Sequence, residues 1–329
     1  MKRIPFFVLC VLLNACSVDI MPEPVVAPTQ TLQSPITNYQ LSITNNQLPT
    51  TTPTLATTRN LQPFDTAQDK SPVSPSHTPI TNYKLPSPTL DPEEWKDLPV
   101  IPTVDPSIRA IYEYGQTLGN DPHAFSIFGD CQTRPDEFFG VFETDDDFAA
   151  SLSPELRGTV ANFRGSFNRE SSTSQDGTTP GALLWTQWHQ AEFTCAFTET
   201  PVECELRIHR PSFVIIQIGS HFESRNTEYL RRIIEQLIDE GVVPILATKA
   251  DNRELDDRVN RDMAMLASEY DLPLWNFWAA VSDLSNRGLY TRDDRPLQGD
   301  IYLTAEAALR HRITGLEALN VVWRVAIGQ

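Results

Sequence analysis

Four short apolar runs set the expected fold. Ala124-Phe125-Ser126-Ile127-Phe128 and Phe213-Val214-Ile215-Ile216-Gln217-Ile218 are β-branched or aromatic. Val242-Val243-Pro244-Ile245-Leu246-Ala247 and Leu272-Pro273-Leu274-Trp275-Asn276-Phe277 follow at intervals that leave room for crossover helices. Near-continuous runs of this kind suit strands covered on both faces. Between them the spacing turns helical: Tyr229, Leu230, Ile233, Ile234, Leu237 and Ile238 form one stripe that stops before Gly241. A second helix is expected over Leu255 to Tyr270, and Thr304 is placed to cap a last one through Leu309, Ile313, Leu316 and Leu319. The βαβα alternation predicts an α/β domain over residues 101–329, a flavodoxin-like three-layer doubly wound parallel sheet. Sites in such sheets gather outside the carboxyl ends of the strands, here the loops after Phe128, Ile218, Ala247 and Phe277.

The first hundred residues have another character. Lys2 and Arg3 precede an apolar run, Ile4 to Leu13, too short to span a bilayer but suited to a secretory signal. It ends in Leu13-Asn14-Ala15-Cys16, which resembles the bacterial lipoprotein box, whose cysteine becomes the lipidated N-terminus. Residues 1–16 are therefore expected to be a lipoprotein signal peptide and Cys16 the lipidation site. The protein would then sit in the bacterial cell envelope, lipid-anchored on the extracytoplasmic side of the membrane. An ordinary signal peptide that contains a cysteine is the plainer alternative. Each buried methylene of an acyl chain adds about 0.8 kcal/mol, so several chains anchor a protein without a spanning helix.

Residues 17–100 are rich in Thr, Pro and Ser and hold 14 of the 26 prolines, all after Met21. No sustained apolar period runs through them, so they cannot bury enough surface to offset chain entropy, and a disordered tether is expected. Ile36-Thr37-Asn38-Tyr39-Gln40-Leu41, Ile43-Thr44-Asn45-Asn46-Gln47-Leu48 and Ile80-Thr81-Asn82-Tyr83-Lys84-Leu85 are near-copies, but their irregular spacing argues against a solenoid.

The net charge of -17 belongs mostly to the domain, where 20 basic face 35 acidic side chains. With no basic run, binding to nucleic acid and a polybasic grip on anionic lipid are both disfavoured. Of the five cysteines, Cys10 would leave with the signal and Cys16 would be lipidated, so Cys131, Cys195 and Cys204 remain. Cys195 and Cys204 flank Pro201 in an apparent loop and are expected to close a small disulfide ring, leaving Cys131 as a free thiol. His123, His189, His209 and His311 show no metal-ligand spacing, and neither a metal nor a cofactor is expected.

The first strand runs into Gly129-Asp130-Cys131-Gln132-Thr133, placing Cys131 at a strand-to-helix turn where backbone N–H groups favour a thiolate or an oxyanion. Here the chain resembles the SGNH (GDSL-type) esterase superfamily, whose first block is a strand followed by Gly-Asp-Ser. Cys131 stands at the nucleophilic serine. The family's Gly-x-Asn-Asp block falls on Gly219-Ser220-His221-Phe222, where Gly219 fits and His221 replaces the oxyanion-hole asparagine. Its last block, Asp-x-x-His before Leu-Thr, falls on Gly299-Asp300-Ile301-Tyr302-Leu303-Thr304. One register puts Tyr302 at the histidine and Gly299 at the aspartate; the other, aligned on Asp300, puts Leu303 at the histidine. Neither restores a base. Gly165 is the candidate for the oxyanion glycine of the second block.

The resemblance covers most of Ala124 to Gln329 and implies an SGNH-like hydrolase or acyltransferase acting on ester or acyl groups of envelope glycans or lipids. Cys131 would be the nucleophile, with Asp130, His221, Asp300 and Tyr302 around it and Gly165 and Gly219 on the oxyanion side. Cysteine depends less than serine on a base, whereas tyrosine, with a pKa of about 10, is a poor base at neutral pH. The same departures fit a catalytically degenerate SGNH fold that binds a glycan or a protein partner. Plainer readings exist for each residue. Cys131 is a small buried residue at a tight turn, His221 a cap or a solvated side chain, and Asp300 a charge at a helix N-terminus. Lys249, in Lys249-Ala250-Asp251-Asn252, is either a substrate contact or half of an ion pair. Trp185, Trp188, Trp275 and Trp278 either stack on sugar rings or fill the core.

Overall fold

The computed structural model describes residues 91, 93–188 and 192–329; the expected signal peptide, Cys16, the near-copies and almost all of the tether lie outside the described residues, as does His189. Four parallel strands form the main sheet in the order β1 (Asp121–Gly129), β2 (Pro211–Gln217), β3 (Val243–Ala247), β4 (Leu274–Trp275). Phe125 pairs with Phe213, Phe213 with Val243, and Leu246 with Leu274. Every residue of β2 and β3 is buried, which is why these strands read as continuous apolar runs with no polar face.

The helices are α1 (Ile108–Leu118), α2 (Val141–Thr144), α3 (Asp146–Ser151), α4 (Pro154–Asn162), α5 (Pro180–Leu183), α6 (Pro201–His209), α7 (Asn226–Asp239), α8 (Arg258–Glu269), α9 (Phe277–Ala280) and α10 (Ala305–Ala326). α1, α4 and α10 pack together on one face of the sheet, and α6, α7 and α8 cover the other. The α7 stripe of Leu230, Ile233, Ile234, Leu237 and Ile238 is buried, as its spacing requires. Thr304 caps α10 by accepting the Ala307 N–H at 3.4 Å. A two-strand antiparallel ribbon, β5 (Leu289–Tyr290) and β6 (Tyr302–Leu303), precedes that helix.

On its other side β1 meets a very short edge. The Gly129 N–H donates to Thr173 O at 2.9 Å, the Thr173 hydroxyl to Ile127 O at 2.8 Å, and Gly129 bridges Ser174 in parallel. The chain thus leaves β1, reaches this edge, and returns past β1 to form β2. That reversal makes the sheet doubly wound and places its switch point between the carboxyl ends of β1 and β2.

Three expectations shift. Trp95 is fully buried and meets Trp278 edge-on at 5.1 Å, while Asn276 Nδ2 donates to Trp95 O and Leu98 O, so the domain begins before residue 101, with the turn Glu94–Asp97. The helix expected from Leu255 starts at Arg258, because Leu255 and Asp257 adopt positive φ and the Leu255 side chain stays in water. Cys195 and Cys204 are disulfide-bonded with Cα atoms 5.2 Å apart, but Cys204 lies on α6, whose Thr200–Glu203 capping box starts the helix at Pro201.

Candidate functional site

At the switch point the loop after β1 meets the loop after β2. Asp130, 2% exposed, turns its carboxylate inward: Oδ2 accepts the N–H groups of Gly219 at 3.1 Å and Ser220 at 2.9 Å, and Oδ1 accepts that of Gln132 at 3.4 Å. Only glycine serves at 219. Its φ is 149°, and a Cβ there would stand 2.4 Å from Val259 Cγ1. Burial and the Asp251 charge raise the Asp130 carboxyl above the ordinary range, against the opposing pull of the Gly219 amide and then His221. The crevice where such folds receive ligands is therefore filled by the chain's own carboxylate.

Beneath it lies a closed ionic network. Ser220 Oγ donates to Asp251 Oδ2 at 2.6 Å, and Lys249 Nζ donates to Asp251 Oδ1 at 2.7 Å and Glu254 Oε2 at 2.6 Å. The side chains of Lys249, Asp251 and Glu254 are 3%, 1% and 0% exposed. Asn260 brackets the Lys249 backbone, accepting its N–H at 2.8 Å and donating to its carbonyl at 3.0 Å. Lys249 is thus placed as a buried ion-pair partner and not against a cleft.

Cys131 is 5% exposed and packs against Ile301 and Tyr302. Its Sγ has one hydrogen-bond partner, Asp130 Oδ1 at 4.0 Å, and no histidine among the described residues bonds it. Burial first, then the charges of Asp130, Asp176 and Asp251, push its thiol pKa far up, so the thiolate is not the neutral-pH form. The space beside it, lined by Gln132, Glu137, Tyr302, Leu303 and Ala308, holds about 10 Å³. That is room for one water at most.

The other expected site residues separate. Tyr302 stands beside Cys131. Its hydroxyl, however, donates to Gln298 and accepts from Arg295 Nη1 at 3.3 Å, and the Arg292 guanidinium covers its ring at 4.1 Å. Asp300 caps no helix; its exposed carboxylate accepts from Asn286 Nδ2 at 3.0 Å and from the Thr291 hydroxyl. His221 has its Nδ1 buried with no hydrogen-bond partner among the described residues. Gly165 is exposed after α4 and donates its N–H to the Glu143 carboxylate. The glycine that follows the edge at 171–174 is Gly177, and the edge itself carries no apolar signal, being Ser171-Ser172-Thr173-Ser174.

A second hollow, of about 380 Å³, opens between the loop that follows this edge and the loop after β2. Gly177, Thr179, Trp185, Trp188, Glu223 and Tyr229 line it. Trp185 is 53% exposed, whereas Trp275 is fully buried in the core and Trp278 packs on Trp95. Of these four tryptophans, Trp275 fills the interior, Trp278 packs against it, and Trp185 and Trp188 border a cavity.

No known family model matches the chain, and no curated protein matches it. Among solved structures, a GDSL-like lipase from Bacteroides thetaiotaomicron is similar at 15% identity and a TM-score of 0.35, over 64% of this chain and 97% of that one. The class defined by the chain's own architecture is α/β, a parallel four-stranded sheet flanked by helices on both faces.

Proposed function

We propose that this protein is an SGNH-like domain, lipid-anchored through Cys16 on the extracytoplasmic side of a bacterial membrane, that has lost acyl transfer and serves as a binding module at the carboxyl end of its sheet. The observation that carries this reading is the state of the Cys131 turn: a buried thiol with a raised pKa, no imidazole partner among the described residues, and crevice amides already bonded to Asp130. Acyl transfer needs a thiolate or a base beside the nucleophile, and donors aimed at an oxyanion. Here the Gly219 and Ser220 amides have an acceptor already, and about 10 Å³ accommodates no acyl group.

The test is to incubate the full chain, wild type beside Cys131→Ala, with p-nitrophenyl acetate and p-nitrophenyl butyrate. No turnover that depends on Cys131 is expected, and iodoacetamide should label Cys131 only after denaturation. Turnover abolished by Cys131→Ala would instead establish the hydrolase or acyltransferase reading, with ester or acyl groups of envelope glycans or lipids as substrates. The anchor is tested separately. Radiolabelled palmitate should enter the wild-type chain made in a bacterial host and not Cys16→Ala, which should also leave the membrane fraction.

A further inference from the structure

The hollow at Trp185 is unlike the closed space at Cys131 in its chemistry as well as its size. Trp185 leaves half of a large indole in water, and the rings of Trp188 and Tyr229 border the same cavity. An exposed indole among other rings is apolar surface that a flat, partly apolar ligand face would cover. The polar groups are few and fixed. Glu223 holds its backbone through Asn226 Oδ1 at 3.2 Å and accepts the Thr179 hydroxyl on Oε1. Its Oε2 lies over Gly181, where a Cβ would stand 2.4 Å away and would push the carboxylate aside.

Charge then selects the ligand. The Glu223 carboxylate repels anions, as does a domain with 35 acidic against 20 basic side chains. The Arg225 guanidinium, paired with Glu228, already lies 5.3 Å from the Tyr229 ring centroid, so the cation-binding face of that ring is taken. A neutral ligand with apolar faces and several hydroxyl donors satisfies both conditions. A pyranose has C–H groups that cover an indole and vicinal hydroxyls that donate to a carboxylate in charge-assisted bonds. The volume of about 380 Å³ falls in the range of small-ligand clefts, roughly 300–1,000 Å³.

We infer that this hollow is a binding subsite for a neutral saccharide, with Trp185 as the stacking platform and Glu223 as the hydroxyl acceptor. The inference rests on the binding-module reading for its place at the loop end of the sheet, and it names the ligand class. It is tested by titrating the full chain with cellotriose, maltotriose and triacetylchitotriose, following tryptophan fluorescence and heat, with choline and glucuronate as charged probes. At least one trisaccharide should bind saturably, Trp185→Ala should weaken that binding at least tenfold, and Glu223→Gln should weaken it severalfold. Trp185→Phe should keep most of it. Silence from all three trisaccharides, preference for choline or glucuronate, or binding unmoved by Trp185→Ala overturns the assignment. Ester assays on the same preparations keep the two readings apart. Turnover dependent on Cys131 removes the binding-module reading, and the hollow is then a sugar site only if the titrations show it independently, whereas silent titrations remove the subsite alone.

Discussion

The two hollows at the carboxyl end of the sheet share one loop, the stretch that carries Asp176 toward Cys131 and Gly177 toward Trp185, yet they are built in opposite ways. Beside Cys131 the chain supplies its own ligands: Asp130 takes the Gly219 and Ser220 amides, Lys249 takes Asp251 and Glu254, and about 10 Å³ remains. Around Trp185 an indole stays half in water at the rim of about 380 Å³. A topological switch point favours binding because backbone donors converge there. Once a side chain of the same protein satisfies those donors, the capacity for a ligand passes to the next loop over. The closed side should therefore answer mutation with lost stability, and the open side with lost binding.

The strongest break of that contrast is Lys249→Met. It removes the one cation from between Asp251 and Glu254, both buried, and leaving buried charge uncompensated costs about 3–5 kcal/mol. Urea melts at pH 7 should show a loss of that size. A loss below about 1 kcal/mol would mean that the ionic network does not hold the closed side together.

Acid should act next. His311, fully buried, stacks on Phe138 at 4.0 Å and bonds Gln217 Oε1 at 2.6 Å, and Gln217 in turn donates to Thr248 O under the crevice. Burial, then the Arg312 charge, holds its pKa well below the ordinary histidine value. His209 is lowered to about 4, by burial first and Arg169 second. Between their folded values and about 6.5, the unfolded chain binds protons that the folded chain does not, so stability rises with pH across that window. Each histidine contributes a slope of about 1.4 kcal/mol per pH unit there. Asp130, raised on folding, opposes them: its contribution is present at low pH and lost as pH rises through its folded pKa. Melts at pH 7.5, 6 and 5 should show a plateau and then a decline, and His209→Gln should flatten part of it. A His209→Gln profile that matches the wild type down to pH 5 would contradict the neutral state of that ring in the fold.

Cys131→Ala comes third. Removing one buried sulfur from contact with Ile301 and Tyr302 should cost about 1 kcal/mol through lost packing. Stabilisation on the same substitution would instead mark Cys131 as held in strain.

The difference between the two sides was only partly legible in the sequence. The strands read correctly because β2 and β3 are buried on both faces and spell continuous apolar runs, and α7 and α10 read because their stripe and Thr304 cap are local features. The Cys195–Cys204 bond was legible from count and spacing. The edge beside β1 was not. It is held by Thr173 side-chain and backbone bonds in a Ser-Thr run, and that displaced the expected oxyanion glycine to Gly165. The occupation of the crevice was equally hidden, because Asp130 and the Gly219 amide lie 89 residues apart and meet only in the folded sheet. Trp95 was overlooked because one aromatic among acidic residues and prolines carries no period.

Trp185→Ala closes the series because its effect on stability should fall short of its effect on binding. The indole is 53% exposed, so truncation removes the half of the ring that is packed. At about 25 cal/mol per Å², the roughly 80 Å² involved is worth up to about 2 kcal/mol. A calorimetric melt of the full chain should therefore show a lowered but still cooperative transition above the titration temperature, in the same preparation that loses its trisaccharide titration. The pairing is what carries the meaning. If Trp185 were only a packing residue that reaches the surface, the folded chain would keep its binding and lose it only on unfolding; a chain that is still folded and no longer binds assigns the indole to the ligand.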